Sequence, residues 1–266
     1  MTVLDRAGEG RVQPLEGVHN FRDYGGYRVA AGTLKRGLLF RSGQHAGAGA
    51  QDLDRIHALN LRTIVDLRGD AERAVMPCAR HPEFGAEVLF APGETAGIEL
   101  APHEEAGAGI ATAEEARAAM TRLYENMPFR PVLVKSLRLY MAALANGEGA
   151  SLVHCLAGKD RTGLAVALVH DLLGVHPDDI MADYLLTNTA GNREARIESA
   201  AAGIRDRYGA AMSDEAIVTL MSVEAAYLDT AMAAIRARHG SVADYARDVL
   251  GADDAWRGKV EARLVE

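Results

Sequence analysis

Short apolar runs alternate with longer amphipathic stretches over the first two-thirds of the chain. The runs are typical of buried strands, whereas the stretches between them have the spacing of helices, most clearly at residues 132–144. Strands that alternate with helices indicate an α/β domain, so we predict a central sheet flanked by helices. The predicted strands are residues 38–41, 63–67, 87–90 and 152–155.

The last third of the chain has a helical pattern without strand-like runs, and its composition shifts to Ala, Arg, Glu and Met. Pro177 suits the first turn of the opening helix. We therefore predict a single domain over residues 1–266. Its α/β core is expected at about residues 15–176, followed by a helical extension at residues 177–266.

The most informative stretch runs from His154 to Gly163. Residues 151–153 end a predicted strand and residues 164–173 form a largely apolar helix, so the stretch lies at a helix N-terminus. Unpaired backbone N–H groups and the helix dipole favour an anion there before any side chain contributes. The phosphate-binding positions that we predict are Leu156, Ala157, Gly158, Lys159 and Gly163.

The side chains of this stretch suit phosphate-ester cleavage. Cys155 is the candidate nucleophile, because the surrounding N–H groups and Arg161 favour its thiolate. The guanidinium of Arg161 offers a planar fork of donors to two phosphate oxygens. Thr162 can donate to the thiolate or to a leaving sulfur, and His154 can orient the loop by bonding to backbone near Cys155. Lys159 adds a positive charge at the expected loop rim, which would favour substrates with more than one phosphate.

The loop resembles the signature of cysteine-dependent phosphatases, and its Gly-Lys-Asp-Arg-Thr-Gly ending is similar to a bacterial branch of tyrosine and phosphoinositide phosphatases. Residues 20–27, 38–43, 64–68 and 182–188 resemble further blocks of that family in the same order. The resemblance implies a cysteine-phosphatase-like sheet and a phosphomonoester hydrolase acting on phosphotyrosine or with dual specificity. A phosphoinositide phosphatase is the alternative, and a non-catalytic phospho-binding module or a sulfur-transfer enzyme is less favoured.

A general acid must protonate the leaving oxygen, and the chain departs from the family here. The Trp-Pro-Asp loop of eukaryotic tyrosine phosphatases is absent, because the only tryptophan, Trp256, is followed by Arg257. In the bacterial branch a Pro followed by an acid can fill the role, and here the acid, Glu94, is displaced by one position. Asp160, inside the loop, is the other candidate and the one we rank first.

Charged residues near these blocks also have purely structural interpretations. Asp160 could hold Arg22 or Arg68 in an ion pair without exchanging protons. We expect Asp66 with Arg68, and Arg22 with Asp23, to form internal pairs that hold parts of the scaffold together.

Two segments are candidates for a lid over the loop. Residues 93–109 are rich in Gly, Pro, Ala and Glu, and residues 191–213 carry several arginines on a predicted helix. Both segments are explained equally well without a lid. The first would then be an ordinary solvated connection, and the second a helix with a solvated face.

Composition limits the remaining possibilities. At 266 residues and 48% hydrophobic the chain can bury a sizeable core. A net charge of −8 argues against nucleic acid and against stable association with anionic membranes, so the expected partner is a phosphorylated protein or a small phosphoester. The oligomeric state is left open.

Cysteine and histidine usage predicts neither disulfides nor a metal or other cofactor. The two cysteines are far apart, which suits a reducing cytoplasm, and Cys78 is interpreted as a small buried hydrophobe. The histidines lack the spacing of metal ligands. No apolar N-terminal stretch or membrane-length run is evident, so we expect a cytoplasmic protein, with secretion by a signal-independent route left open.

Overall fold

The computed structural model describes residues 10–95, 110–190, 197–198, 201 and 212–266. Five of its strands form one sheet in the order β1-β4-β7-β5-β6, and two more form a separate hairpin. The strands are β1 Arg22–Asp23, β2 Arg28–Val29, β3 Gly32–Thr33, β4 Leu39–Ser42, β5 Leu61–Asp66, β6 Glu87–Leu89 and β7 Ala150–His154.

Helices cover both faces of the sheet and make up nearly all of the described chain after β7. The α-helices are α1 Ala50–Ala58, α2 Asp70–Val75, α3 Ala113–Asn126, α4 Pro131–Asn146, α5 Asp160–Leu173, α6 Pro177–Leu185, α7 Asp214–Met221, α8 Ala225–His239, α9 Val242–Tyr245 and α10 Asp254–Leu264. Short 3₁₀ turns at Met127–Phe129 and Leu186–Asn188 and a π-helical turn at Ala246–Leu250 connect some of them.

The direction of the strands determines where a site can form. β4, β7, β5 and β6 are mutually parallel, whereas β1 pairs antiparallel with β4 at the sheet edge. In the register of the three central strands, Ser42 and Asp66 both lie opposite His154. The loops that follow these strands therefore meet at one edge of the sheet, where α/β proteins bind their ligands.

Two hydrophobic clusters fill the two faces of the sheet. The smaller cluster lies under α1 and includes Phe40, Ile64 and Leu152. The larger one surrounds α5, whose residues are buried except for Asp171, and extends through the C-terminal helices to Leu264. Because these helices pack on α3 and α5, the C-terminal extension shares the core of the sheet domain. No described helix is long and apolar enough to cross a bilayer alone. By length and composition alone, α7 and α8 together would be long and apolar enough, but the pair is bent by 50°.

The α/β class predicted from the sequence is confirmed, and the four predicted strands differ from β4, β5, β6 and β7 by one or two residues at their ends. The two-residue strands β1, β2 and β3 were not predicted, because they are too short to show a period. Pro177 occupies the first turn of α6, as expected. The candidate lid segments lie largely outside the described residues.

A buried ion network joins the sheet to α6. Asp183 accepts from Arg41 Nη1 at 2.7 Å and from Arg22 Nε at 3.3 Å, and all three side chains are essentially inaccessible to solvent. The expected pairing of Arg22 with Asp23 is wrong. Asp23 instead accepts the backbone N–H groups of Gly25 and Gly37, because its side chain points toward that turn.

Charge is balanced unevenly in this network. Burial alone would raise the pKa of Asp183, but the guanidinium groups of Arg22 and Arg41 outweigh it and hold the pKa well below its ordinary value. Burial, together with Arg41, lowers the pKa of Arg22 to about 10 despite the opposing effect of Asp183. Because the folded-state pKa of Asp183 is depressed, its ionisation stabilises the fold above the unfolded pKa, and that contribution is lost as the pH falls.

We predict that Asp183→Asn destabilises the protein by about 3–5 kcal/mol at neutral pH, because it leaves two buried guanidinium groups without their anion. The difference from the native protein should shrink as the pH falls below about 4, where Asp183 of the unfolded chain is protonated. Urea unfolding at pH 7 and pH 3 measures both effects. Asp178→Asn, at a side chain 84% exposed on the same helix, is the control. Equal unfolding free energies of the two variants at pH 7 would contradict the role of the network.

Candidate active site

The Cys155 loop, residues 155–161, connects β7 to α5 and confirms the predicted strand, loop and helix. Cys155 follows the last strand residue directly, and α5 begins at Asp160. Cys155 and Arg161 are each only 2% exposed, whereas Leu156 and Ala157 between them are half-buried. The N-terminus of a 14-residue helix thus points into the loop.

Gly158 fixes the shape of the loop. Its φ of +65° is unfavourable for other residues, and a Cβ there would overlap the backbone of Ser42. The carbonyl of Gly158 accepts from Asn20 Nδ2 at 2.6 Å and from Arg41 Nη2 at 3.1 Å. Since Arg41 also binds Asp183, the ion network of the fold determines the conformation of the loop.

Gly163, the last residue of the predicted phosphate-binding set, has a packing role. It lies within α5, and a Cβ at this position would be 2.9 Å from the ring of Tyr184 on α6. The absence of a side chain therefore lets α5 and α6 approach closely near the loop.

Arg161 is held by a carboxylate that sequence analysis did not identify. Glu72 on α2 accepts from Arg161 Nη1 at 2.5 Å and from Nη2 at 2.7 Å, forming a bidentate pair. Thr95 Oγ1 accepts a further bond from Nη1 at 2.6 Å. Burial alone would lower the pKa of Arg161, but Glu72 outweighs it and raises the pKa above its ordinary value. The guanidinium is therefore a fixed cation.

This pair leaves one edge of the guanidinium for a ligand. Glu72 takes the end formed by the two Nη atoms, whereas Nε of Arg161 has no hydrogen-bond partner among the described residues. A buried donor without a partner is costly, and a phosphate oxygen would satisfy it. Glu72 therefore orients Arg161 without blocking its side edge.

His154 supports the loop from below. Its Nδ1 lies 3.3 Å from the carbonyl oxygen of Cys155, which agrees with the predicted orienting role. Burial lowers the pKa of His154, so the ring is neutral and Nδ1–H donates to that carbonyl. Beneath it, Asp66 and Arg68 form the expected pair, with Arg68 Nη2 2.7 Å from Asp66 Oδ2.

Thr162 lies at the start of α5 with its hydroxyl fully buried. Its Oγ1 has no hydrogen-bond partner among the residues that the structure describes. Such a donor is available to a sulfur or phosphate oxygen, as the sequence predicts.

Asp160 belongs to a chain of buried hydroxyl groups. Tyr124 on α3 donates to Asp160 Oδ1 at 2.8 Å, and Tyr184 donates to the Tyr124 hydroxyl at 2.8 Å. Burial, followed by the charge of Asp160, raises the pKa of Tyr124 well above its ordinary value, so this hydroxyl remains a donor. The alternative in which Asp160 pairs with Arg22 or Arg68 is wrong, because those two bind Asp183 and Asp66.

Lys159 does not lie at the rim of the loop, and this expectation is corrected. The side chain is 2% exposed, and its ammonium donates to the carbonyl oxygens of Leu220 and Ser222. Asp160 Oδ1 is 3.5 Å away. The ammonium therefore ties the loop to the end of α7, where it cannot reach a second phosphate outside the loop.

Glu94 braces α2 in this structure. Its Oε1 accepts the backbone N–H of Ala71 at 2.9 Å, at the first turn of the helix that carries Glu72. A Cβ on Gly69 would overlap the Glu94 carboxylate, so the two segments are tightly apposed. Glu94 therefore holds the helix that carries Glu72, and the next residue, Thr95, binds Arg161.

One cluster outside the loop bears on the prediction that no metal is bound. Among the described residues, His57, His81 and Glu83 place possible ligand atoms within 4.8 Å of one another, a proximity that sequence spacing did not reveal. The two rings stack at 4.1 Å, with His57 Nε2 3.5 Å from Glu83 and His81 Nε2 3.3 Å from Asp54. His81 Nδ1 also accepts the backbone N–H of Glu83, so both of its nitrogens have partners within the protein.

Comparison with known proteins agrees with this geometry. The model of the tyrosine phosphatase family matches residues 13–266. A Cupriavidus necator protein, provisionally named a tyrosine-protein phosphatase, is 36% identical over 244 residues, which cover 90% of this chain and 84% of the relative. The triple-specificity protein phosphatase PtpB of Mycobacterium tuberculosis is 30% identical over 265 residues, covering 89% and 93% of the two chains. The chain therefore belongs to the tyrosine phosphatase family and is a phosphomonoester hydrolase of the protein-tyrosine or dual-specificity type.

Proposed function

We propose that the enzyme hydrolyses phosphotyrosine, and phosphoserine or phosphothreonine, in proteins through a cysteinyl-phosphate on Cys155 and without a metal ion. The observation that carries this proposal is the Arg161 guanidinium, fixed by Glu72 and with its buried Nε unpartnered among the described residues. A phosphoryl group held by that edge and by the loop N–H groups would lie over the sulfur of Cys155.

In the first step the Cys155 sulfur attacks phosphorus while the bond from phosphorus to the leaving oxygen breaks. The electron pair of that bond goes to the leaving oxygen, which takes a proton from the general acid. Arg161 and the backbone N–H groups bind the phosphoryl oxygens as the transferring group becomes trigonal bipyramidal.

In the second step water attacks the phosphorus of the cysteinyl-phosphate and the sulfur leaves as a thiolate. The residue that gave the proton now accepts one from the attacking water. The unpartnered hydroxyl of Thr162 can donate to the departing sulfur, which lowers the barrier to its release.

Asp160 is the proposed acid and base. It lies within the loop, and the hydrogen bond from Tyr124 restrains the orientation of its carboxyl group. Glu94 is the weaker candidate, because its Oε1 accepts the backbone N–H of Ala71. A movement of Glu94 toward the substrate would break this contact with α2.

The environment of Lys159 bears on the substrate class. The mycobacterial relative is named a triple-specificity protein phosphatase, which supports activity on more than one class of phosphorylated substrate. Lys159 is buried against two carbonyl groups, so its charge is not placed to receive a second phosphate. This favours singly phosphorylated protein substrates over polyphosphorylated lipid headgroups.

Substitution of each cysteine tests the assignment of the nucleophile. Hydrolysis of p-nitrophenyl phosphate should persist in EDTA and be abolished in Cys155→Ser, because serine is a far poorer nucleophile in the same position. Cys78→Ser is the matched control and should retain turnover. Loss of activity in EDTA, or full activity in Cys155→Ser, would refute the proposal. A comparison of kcat/KM then ranks three classes of substrate: phosphotyrosine peptides, phosphoserine peptides and phosphoinositides.

Substitution of each carboxylate separates the two candidate acids. Asp160→Asn should lower kcat by about 10²–10⁴-fold, whereas Glu94→Gln should have a smaller effect. The loss in Asp160→Asn should be greater on a phosphotyrosine peptide than on p-nitrophenyl phosphate, because nitrophenolate leaves without protonation. Steady-state kinetics on both substrates measures this, and the same loss on both would exclude proton transfer to the leaving group by Asp160.

Substitution of Glu72 tests whether this residue orients Arg161. Glu72→Ala should lower kcat by about 10²-fold, since a misplaced guanidinium no longer fits the transition state. Glu87→Ala, an exposed acid on β6, controls for the loss of one negative charge. Unchanged kcat in Glu72→Ala, with folding verified by thermal unfolding, would show that the pair does not position Arg161.

A further inference from the structure

A cavity lies beneath α1, away from the Cys155 loop. It has a volume of about 230 Å³ and is bounded by α1, by β5 and by residues 79–86. Its lining contains no residue of the loop. Small-molecule sites are typically concave and largely apolar, with a few polar groups that fix the orientation of the ligand.

The guanidinium of Arg80 lines this cavity and is not paired with a carboxylate among the described residues. Its guanidinium is half-buried and contacts the Phe84 ring at 4.8 Å, His45 Nδ1 at 3.5 Å and the thiol of Cys78. Among the described residues no carboxylate forms an ion pair with it. Burial, the largest influence on this group, lowers its pKa, and the opposing charges of Cys78 and Asp66 do not offset that effect.

The rest of the lining suits the body of a small organic ligand. Leu53, Ile56, Ile64 and Phe84 form apolar walls. The volume far exceeds what a single water molecule needs. The rim is polar, and Glu83 is the one carboxylate that the described residues place there. Its side chain is 77% exposed and faces His57. The interior is therefore apolar and cationic, and the anionic group is at the mouth.

We propose that this cavity binds a small carboxylate with an apolar body, held by a bidentate pair with Arg80, and that its occupancy is transmitted to the Cys155 loop. The planar guanidinium matches the geometry of a carboxylate. The apolar walls would bury the body of the ligand, which contributes affinity in proportion to the area removed from water.

A short chain of contacts connects Arg80 with the loop. His45, whose pKa is lowered by burial and by neighbouring His154, is neutral, so it accepts from Arg80 at Nδ1 and donates from Nε2 to Ser42 Oγ, 3.0 Å away. The His45 ring also stacks on His154 with centroids 5.5 Å apart. A carboxylate that draws Arg80 away from His45 would change the support of the residue that precedes Cys155.

Benzoate is a suitable probe, and benzamide is its neutral match. We expect calorimetry to show saturable binding of benzoate, with an affinity at least about tenfold higher than that of benzamide. A hydrogen bond from Arg80 to a charged carboxylate contributes more binding free energy than one to a neutral amide, by enough to account for this factor. Arg80→Gln should weaken benzoate binding by a similar factor. Arg28→Gln, at an exposed arginine on β2, controls for the loss of one positive charge.

A second variant keeps the test decisive if Arg80→Gln unfolds. Ala86→Leu should fill the cavity and abolish benzoate binding while leaving p-nitrophenyl phosphate hydrolysis without benzoate unchanged. In the native enzyme benzoate should alter kcat more than KM, since it acts away from the loop. The calorimetric measurement does not depend on turnover, so it stands even if the proposed catalytic mechanism fails.

Three results would overturn the inference. Benzoate that competes with inorganic phosphate would place its site at the Cys155 loop. Equal affinity for benzoate in the native protein and in folded Arg80→Gln or Ala86→Leu would exclude this cavity. The absence of saturable benzoate binding would refute the proposed class of ligand. Binding that leaves kcat unchanged would refute the proposed coupling between the cavity and the Cys155 loop.

Discussion

The buried carboxylate of Asp183 between Arg22 and Arg41 is the interaction on which the site depends most. It connects β1 and β4 to α6, and through Arg41 it reaches the carbonyl of Gly158. Buried ion pairs contribute little net stability when they replace well-packed apolar groups, but removing one partner is costly. The value of this network therefore lies in the shape that it imposes on the Cys155 loop.

A second constraint is the balance of charge around the loop. Arg161 and Lys159 are both buried, and each has acidic or carbonyl partners within the protein. Because Glu72 binds only one edge of Arg161, the site keeps a fixed cation while leaving donors for a phosphate. A chain with a net charge of −8 can thus present a local positive site, since short-range pairs and the helix terminus determine the field there.

The sequence predicted the candidate residues that are contiguous in the chain, but it did not predict the pairings between residues that are far apart in the chain. Cys155, Arg161 and the following helix were predictable because a strand, a loop and a helix N-terminus are contiguous in the chain. Glu72 lies 89 positions from Arg161, and Asp183 lies 142 positions from Arg41, so neither pairing has a local signal. The predicted position of the Lys159 ammonium, at the rim of the loop, was wrong. A sequence motif determines the path of the backbone but not the direction of a long side chain.

Covalent catalysis by Cys155 is tested most directly by quenching the enzyme in alkaline denaturant, which preserves a phosphorus–sulfur bond, during turnover of a phosphotyrosine peptide labelled in its phosphate. The label is then mapped by mass spectrometry. We expect a phosphate adduct on the peptide containing Cys155, present in the native protein and absent in Cys155→Ser. A label on another residue, or full turnover without any adduct at early quench times, would contradict covalent catalysis by Cys155.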